Sequence, residues 1–211
     1  MPAKLTAPRV GRTELVVEKT EALTTQVLTG ASGALNIQTF VFHTGTTELS
    51  WLRNMANSFV EWQLLGLEYT YVPSVPTTQA GSVTIAIKGD YLDGTPTSQA
   101  EVQRYDLSVS SPVYAGMDGG SWINQWGLNH PNTIGVTMPD YMYKFGTQPR
   151  TYRVVSDSTF NAMINTDKND YSPGALVVAT SGTGINAGSV GTVFVRYRVR
   201  LLGSVAISTA S

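Results

Sequence analysis

Apolar and β-branched residues alternate with polar residues along most of this chain, which is the pattern of half-buried β-strands. Segments rich in Gly, Pro, Ser and Thr separate the alternating stretches, as turns require. The pattern predicts eight strands, at residues 13–20, 34–44, 60–72, 82–90, 108–114, 150–155, 174–180 and 191–203. Helical periodicity is almost absent, so the expected fold class is all-β.

One segment that breaks the alternation, residues 47–59, has the spacing of a short helix. Leu49, Leu52 and Met55 recur at intervals that place them on one helical face. Either Thr47 or Ser50 is its expected N-cap, because a short side-chain oxygen can accept from the free N–H groups of a first helical turn.

Two further segments, residues 95–105 and 156–165, also begin with capping residues, with Thr97 or Ser98 as the candidate cap of the first. Small helices inside the connections favour a two-sheet sandwich over a barrel whose strands meander through short hairpins. We therefore predict an eight-stranded antiparallel jelly-roll sandwich with short helices in the connections.

The composition limits the chemistry of the protein. Only 14% of the 211 residues are charged, against about 25% in an average globular chain, which suggests that part of the surface is buried against other copies. The absence of cysteine excludes disulfides, thiolate catalysis and cysteine-based zinc sites. No apolar run reaches the ~20 residues that span a bilayer, and a net charge of −1 calls for neither membrane nor nucleic acid.

Basic side chains are concentrated in two places. Residues 1–12 carry no acidic residue and three basic ones, Lys4, Arg9 and Arg12. This segment is either a frayed terminus or a short arm that contacts RNA or another anionic surface. The second group, Arg196, Arg198 and Arg200, alternates along the last strand and shares one face. That face either forms salt bridges or meets RNA phosphate.

Catalytic groups are scarce. His43 and His130 are the only histidines, and both are interpreted as structural or surface residues. No nucleophile elbow, zinc-protease helix or phosphate-binding loop is present. We therefore expect no enzyme activity.

Asp90 and Asp93 stand on one short connection, between Gly89 and Gly94. A glycosidase needs two acids on opposite sides of a cleft, which one tight loop does not provide. The pair is then either an ordinary turn or part of a calcium site, since Ca²⁺ takes six to eight oxygen ligands.

The dense segment from residue 51 to 96 resembles the coat-protein shell domain of small icosahedral positive-strand RNA plant viruses, the sobemovirus and tombusvirus-like group. The resemblance is carried by the order and spacing of short motifs: Trp51, Leu52, Met55 and Ala56, then Tyr71 to Pro73, then "PTTQAGSV", then Asp90, Asp93 and Pro96. It extends more loosely over residues 13–203.

This resemblance implies a capsid protein that self-assembles into an icosahedral shell, commonly T=3, around single-stranded genomic RNA. It further implies that Asp90 and Asp93 bind Ca²⁺ at subunit interfaces, with other oxygens from the adjacent subunit. Because uncompensated carboxylates repel one another, removing calcium at raised pH should loosen the shell. The expected location is the virion, with assembly in the host cytoplasm and no membrane partner.

The expected division is a short basic arm at 1–12 and a shell domain at 13–211, with no protruding domain. The expected subunit interface includes Trp51, Leu52, Asn54 and Met55 on the 47–59 helix, the 74–81 loop and the two aspartates. The sequence departs from the family in lacking a long arginine-rich arm and the carboxy-terminal asparagines of some relatives. The alternative function is a calcium-dependent β-sandwich carbohydrate-binding module that uses Trp122 or Trp126.

Overall fold

A computed structural model of the protein describes residues 14–105, 108–115, 134–137, 150–184 and 188–204. These residues contain ten β-strands: β1 (Glu14–Ala22), β2 (Val27–Leu28), β3 (Asn36–Val41), β4 (Phe59–Pro73), β5 (Ser82–Lys88), β6 (Val109–Pro112), β7 (Ile134–Thr137), β8 (Thr151–Arg153), β9 (Ala175–Ser181) and β10 (Ser189–Ser204). Four short helices lie in the connections: α1 (Ser50–Ala56), α2 (Gln99–Val102), α3 (Asp157–Ala162) and α4 (Asn165–Lys168).

The strands form two antiparallel sheets. The long sheet has the order β1-β10-β4-β7, with β2 also paired to β10 and β8 to β4. The short sheet has the order β3-β9-β5-β6. The chain crosses repeatedly between the sheets, since β3 and β5 are in the short sheet and β4 is in the long one, and β9 of the short sheet is followed by β10 of the long one. This interleaving is the topology of a jelly-roll sandwich, and it confirms the predicted fold class.

Every one of the eight predicted strand positions contains a strand. The described residues add two strands that the sequence pattern did not predict, β2 and β7. Neither could be read from alternation, because β2 has two residues and β7 has four. The prediction of eight strands is therefore too low by two for the described part of the chain.

The core lies between the two sheets and is filled by their inward-facing residues. Trp62 and Tyr71 of β4 and Tyr197 of β10 are fully buried there, and Phe42 meets Trp62 edge-on with ring centroids 5.8 Å apart. The Tyr71 hydroxyl lies 2.9 Å from the carbonyl oxygens of both Val113 and Val190. A buried phenol satisfied in this way stabilises the sandwich without an unpaired polar group.

Two of the helices begin as the sequence predicts. Ser98 caps α2, because its Oγ accepts from the Glu101 N–H at 3.2 Å, and Ser156 caps α3 in the same way through the Thr159 N–H at 3.2 Å. No helix in the described part of the chain is long and apolar enough to cross a membrane.

Candidate metal and subunit-interface site

The acidic loop, residues 89–94, directly follows β5 and is anchored to the core by Tyr91. The Tyr91 side chain is 8% exposed, and its hydroxyl lies 2.7 Å from Ser172 Oγ and donates to the Gly174 carbonyl at 2.8 Å. Burial is the main reason why the pKa of the Tyr91 hydroxyl is raised. With Tyr91 held inside, its neighbours Asp90 and Leu92 lie at the surface.

A glycine is required where β9 begins beside this loop. Gly174 has a φ of +145°, and a Cβ added there would lie 2.4 Å from the Lys88 carbonyl oxygen. Any side chain would therefore push apart the two strand ends that carry the loop.

Lys88 holds the second half of the loop from beneath. Its side chain is 9% exposed, and its ammonium group donates to the Asp93 carbonyl and, at 3.4 Å, to the Gly94 carbonyl. A buried ammonium group needs such partners, because desolvation without hydrogen bonds is costly. These two carbonyl oxygens are thus already engaged within the subunit.

Only one oxygen of the Asp90 carboxylate accepts hydrogen bonds from the described residues. Its Oδ1 accepts from the Leu92 backbone N–H at 2.9 Å and from Asn169 Nδ2 at 2.8 Å. These two hydrogen bonds, that from Leu92 first, lower the pKa of the Asp90 carboxyl, and the charge of Lys88 adds to the effect. In the single chain, hydrogen bonding therefore favours the ionised form, before any repulsion from a neighbouring subunit acts.

The chemistry of these donors fits half of a calcium site. The carboxylates of Asp90 and Asp93 offer the hard oxygen ligands that Ca²⁺ prefers, on an exposed loop. However, the described residues contain no group of three or more acidic or histidine side chains that could hold a metal ion. Two carboxylates on one loop could provide only part of the six to eight oxygens that Ca²⁺ takes.

The helix predicted at the interface is α1, and its first turn is capped differently from the prediction. Neither Thr47 nor Ser50 caps it, since the N-cap position is Leu49 and makes no side-chain cap bond. Instead the Glu21 carboxylate of β1 accepts from the N–H groups of Trp51 at 2.9 Å and Leu52 at 3.2 Å.

Glu21 was not predicted from the sequence to take part in this region. It also accepts from the Tyr197 hydroxyl at 2.6 Å, so one carboxylate joins β1, β10 and α1. A signal was present in the sequence, because Lys19 and Glu21 follow Val17 at every second position and so share its core-facing side of β1. The Lys19 ammonium group makes a cation–π contact with the Trp51 ring, with Nζ 4.4 Å from the ring centroid.

Of the four interface residues predicted on α1, Leu52 has no exposed surface. Its side chain is fully buried in the core of its own subunit, because the helix turns its Leu49–Leu52–Ala56 side inward. Asn54 is exposed and Trp51 and Met55 are half-buried, so these three retain surface that a neighbour could contact.

The arginine row, Arg196, Arg198 and Arg200, lies on the outer face of the long sheet, where glutamates of β1 stand opposite. Arg196 Nη2 lies 2.6 Å from Glu18 Oε1, and Arg200 Nε lies 3.4 Å from Glu14 Oε1. Arg198 is exposed and has no carboxylate partner among the described residues. The salt-bridge interpretation thus describes two of the three arginines.

His43 is a structural residue, as the sequence analysis expected. Its ring is 1% exposed and stacks on Phe160 at 4.2 Å, its Nδ1 accepts from the Gly45 N–H at 3.2 Å, and its Nε2 lies 3.3 Å from Asp157 Oδ1. Burial lowers the pKa of His43 to about 4, although Asp157 acts in the opposite direction. Several other predicted positions lie outside the described residues: Lys4, Arg9, Arg12, Trp122, Trp126 and His130.

Comparisons with known proteins agree with this fold and with the motifs. A family model described as viral coat protein (S domain) matches residues 4–207. The capsid protein of tobacco necrosis virus (strain D) is 31% identical over 156 residues, which are 74% of this chain and 56% of that protein. The capsid protein of tobacco necrosis virus (strain A) is 30% identical over 190 residues, or 89% of this chain and 65% of that protein.

A solved structure of tobacco necrosis virus has the same fold, with a TM-score of 0.77 at 22% identity over 92% of this chain and 97% of that chain. The chain spans 56% and 65% of the length of the two curated relatives it matches. Those relatives are named capsid proteins, which is a structural and not an enzymatic role, in agreement with the expected lack of catalysis. The match over residues 4–207 extends along nearly the whole chain, and the protein belongs to the viral coat protein S-domain family.

Proposed function

We propose that this protein is a virus capsid subunit, and that many copies assemble into an icosahedral shell, T=3 in arrangement, around single-stranded RNA. The observation that carries the proposal is the family match over residues 4–207, supported by the jelly-roll topology of the described strands. The protein would accordingly be a component of the virion, assembled in the host cytoplasm.

We place Ca²⁺ between subunits, at the acidic loop. Asp93 is exposed and Asp90 keeps one oxygen without a hydrogen-bond donor from the described residues, so both can reach a cation on the outer side of the loop. The remaining ligands would come from the neighbouring subunit and from water. A bound cation would neutralise carboxylates that otherwise repel one another across the interface.

The neighbour would also contact the exposed side of α1 and the 74–81 loop. Trp51, Asn54 and Met55 are the α1 side chains with surface to offer, and most residues of the 74–81 loop are exposed. Contacts of this kind join different patches of two copies, which is the arrangement that closes around symmetry axes.

RNA would be bound through basic side chains at salt-dependent affinity, because each phosphate contact releases counterions. Arg198 is the member of the arginine row that is exposed and without a carboxylate partner in the described residues, so it is the first candidate for phosphate contact. Arg196 and Arg200 would have to exchange Glu18 and Glu14 for phosphate. The remaining candidates are Lys4, Arg9 and Arg12.

Sedimentation of the purified protein tests this proposal. We expect megadalton particles with calcium at mildly acidic and mildly alkaline pH, and swollen or dissociated particles when EDTA is added at the alkaline pH. The double variant Asp90→Asn/Asp93→Asn should form particles that no longer respond to EDTA. Asp167→Asn, on the exposed surface of α4, is the matched control and should behave like the wild type.

Two results would contradict the proposal. A monomer under every condition would rule out the shell for this chain. Particles that sediment and melt identically with and without EDTA at alkaline pH would rule out calcium at the interface while leaving the capsid function intact.

A further inference from the structure

Asn169, which directly follows α4, forms a two-bond link with the acidic loop. Its Nδ2 donates to Asp90 Oδ1 at 2.8 Å, and its Oδ1 accepts from the Tyr91 backbone N–H at 3.2 Å. The two partners are 79 and 78 residues away along the chain, so this contact exists only in the folded subunit. A single amide thus engages the backbone of the loop and one of its two carboxylates together.

The link determines how the Asp90 carboxylate is oriented. Oδ1 receives two donors, from Leu92 and Asn169, and the described residues supply none to Oδ2. Oδ2 is therefore the Asp90 oxygen that remains available to a ligand. Because a carboxylate that turned freely would lose rotamer entropy on binding a cation, this fixation should strengthen binding.

Two backbone oxygens of the loop are also engaged within the subunit. The Lys88 ammonium group binds the carbonyl oxygens of Asp93 and Gly94 from the inner side. A cation at this loop would therefore not use these two carbonyl oxygens, whereas the carboxylates of Asp90 and Asp93 remain available to it. The loop has this arrangement within one subunit, so it does not depend on a neighbour to form it.

We propose that Asn169 is the positioning residue of the acidic loop: its amide holds Asp90 and the Tyr91 backbone so that one Asp90 oxygen is presented to a divalent cation at the subunit interface. Asn169 itself does not ligate the cation in this arrangement, because the nitrogen and the oxygen of its side-chain amide are both hydrogen-bonded to the loop. The inference rests on the calcium role proposed above.

The test compares Asn169→Ala with Asn161→Ala, a control in which an asparagine at the surface loses its hydrogen bond to an aspartate, here Asp157 Oδ2 at 3.2 Å. Calcium titration calorimetry on calcium-depleted particles should show a ten- to a hundredfold weaker affinity for Asn169→Ala, roughly the loss typical of residues that orient metal ligands. Asn161→Ala should bind like the wild type, and Asn169→Gln, which keeps the amide, should recover part of the affinity.

Hydrogen exchange on dissociated subunits in EDTA supplies a readout that needs neither calcium nor particles. Asn169→Ala should speed the exchange of the amides of residues 89–94 and leave those of β4 and β10 unchanged. Wild-type calcium affinity in Asn169→Ala particles, or wild-type exchange in residues 89–94, would overturn the inference. Wild-type particles that bind no calcium would instead overturn the calcium role, and the exchange result would still decide whether Asn169 holds the loop.

Discussion

Two carboxylates of this protein, Glu21 and Asp90, illustrate how differently an acidic side chain can be used. Glu21 stands on the core-facing side of β1, and both of its oxygens are engaged by donors of its own subunit: two N–H groups of α1 and the Tyr197 hydroxyl. Asp90 stands on an exposed loop, and only its Oδ1 is engaged, by Leu92 and Asn169.

The difference separates a carboxylate that stabilises the fold from one that is left open to a ligand. The donors to Glu21 come from two elements that are far from it in sequence, α1 and β10, so its removal would leave a helix end and a buried phenol without an acceptor. The donors to Asp90 hold only its own loop. We therefore expect Glu21 to matter for the stability of the single subunit and Asp90 to matter for what the subunit binds.

The largest expected effect is that of Glu21→Ala. It should lower the free energy of unfolding by about 3 kcal/mol, because three hydrogen bonds to a charged acceptor are lost and their donors stay partly buried. Urea unfolding of dissociated subunits measures this loss. Glu18→Ala on the same strand is the control, and should cost under about 1 kcal/mol, since its salt bridge to Arg196 is at the surface.

Asp90→Asn completes this experiment. In calcium-free subunits it should unfold at the wild-type urea concentration, because asparagine keeps an oxygen that can accept from Leu92 and Asn169. If Asp90→Asn destabilised the free subunit as much as Glu21→Ala, the distinction between the two carboxylates would be wrong.

A smaller change in stability is expected from the ionisation of His43. Its partner Asp157 is a third carboxylate, and it lies 3.3 Å from the His43 ring. Burial lowers the pKa of His43 from 6.5 to about 4, so between these values the unfolded chain binds a proton that the folded chain does not. The free energy of unfolding should therefore rise with pH across this window. The contribution of His43 is lost as pH falls through the window, and it should be less than about 3 kcal/mol because the charge of Asp157 opposes the effect of burial.

The variant His43→Gln isolates this contribution. Urea unfolding of both proteins from mildly acidic to neutral pH should show a shallower pH dependence in the variant, because one titrating group has been removed. Identical slopes in both proteins would show that His43 is not buried in its neutral form.

The sequence predicted the parts of the fold that depend on local pattern. All eight predicted strands were found, since a strand with one face in the core must alternate, and the caps of α2 and α3 lie on serines beside their helices. The calcium role of Asp90 and Asp93 stays a prediction from their spacing and from the family resemblance.

The sequence did not predict contacts between distant residues. Glu21 caps a helix that begins 29 residues later, and Asn169 holds an aspartate 79 residues away. Leu52 was predicted both on the apolar face of α1 and at the subunit interface, and its full burial within its own subunit agrees only with the first. Each of these depends on the tertiary packing of the sandwich, which a single sequence does not display.

The smallest expected change in stability compares two helix caps: the local cap of α2 by Ser98 and the cap of α1 by the distant residue Glu21. Ser98→Ala should cost about 1 kcal/mol, because the Glu101 N–H loses its acceptor in the first turn of α2. Ser50→Ala is the matched control on α1: the sequence predicts a cap there, but Ser50 makes no cap bond and the carboxylate of Glu21 replaces it. Urea unfolding should leave Ser50→Ala at the wild-type midpoint. A loss as large as that of Ser98→Ala would mean that α1 is capped locally after all, and that the hydrogen bonds of Glu21 to α1 contribute less than its contact with Tyr197.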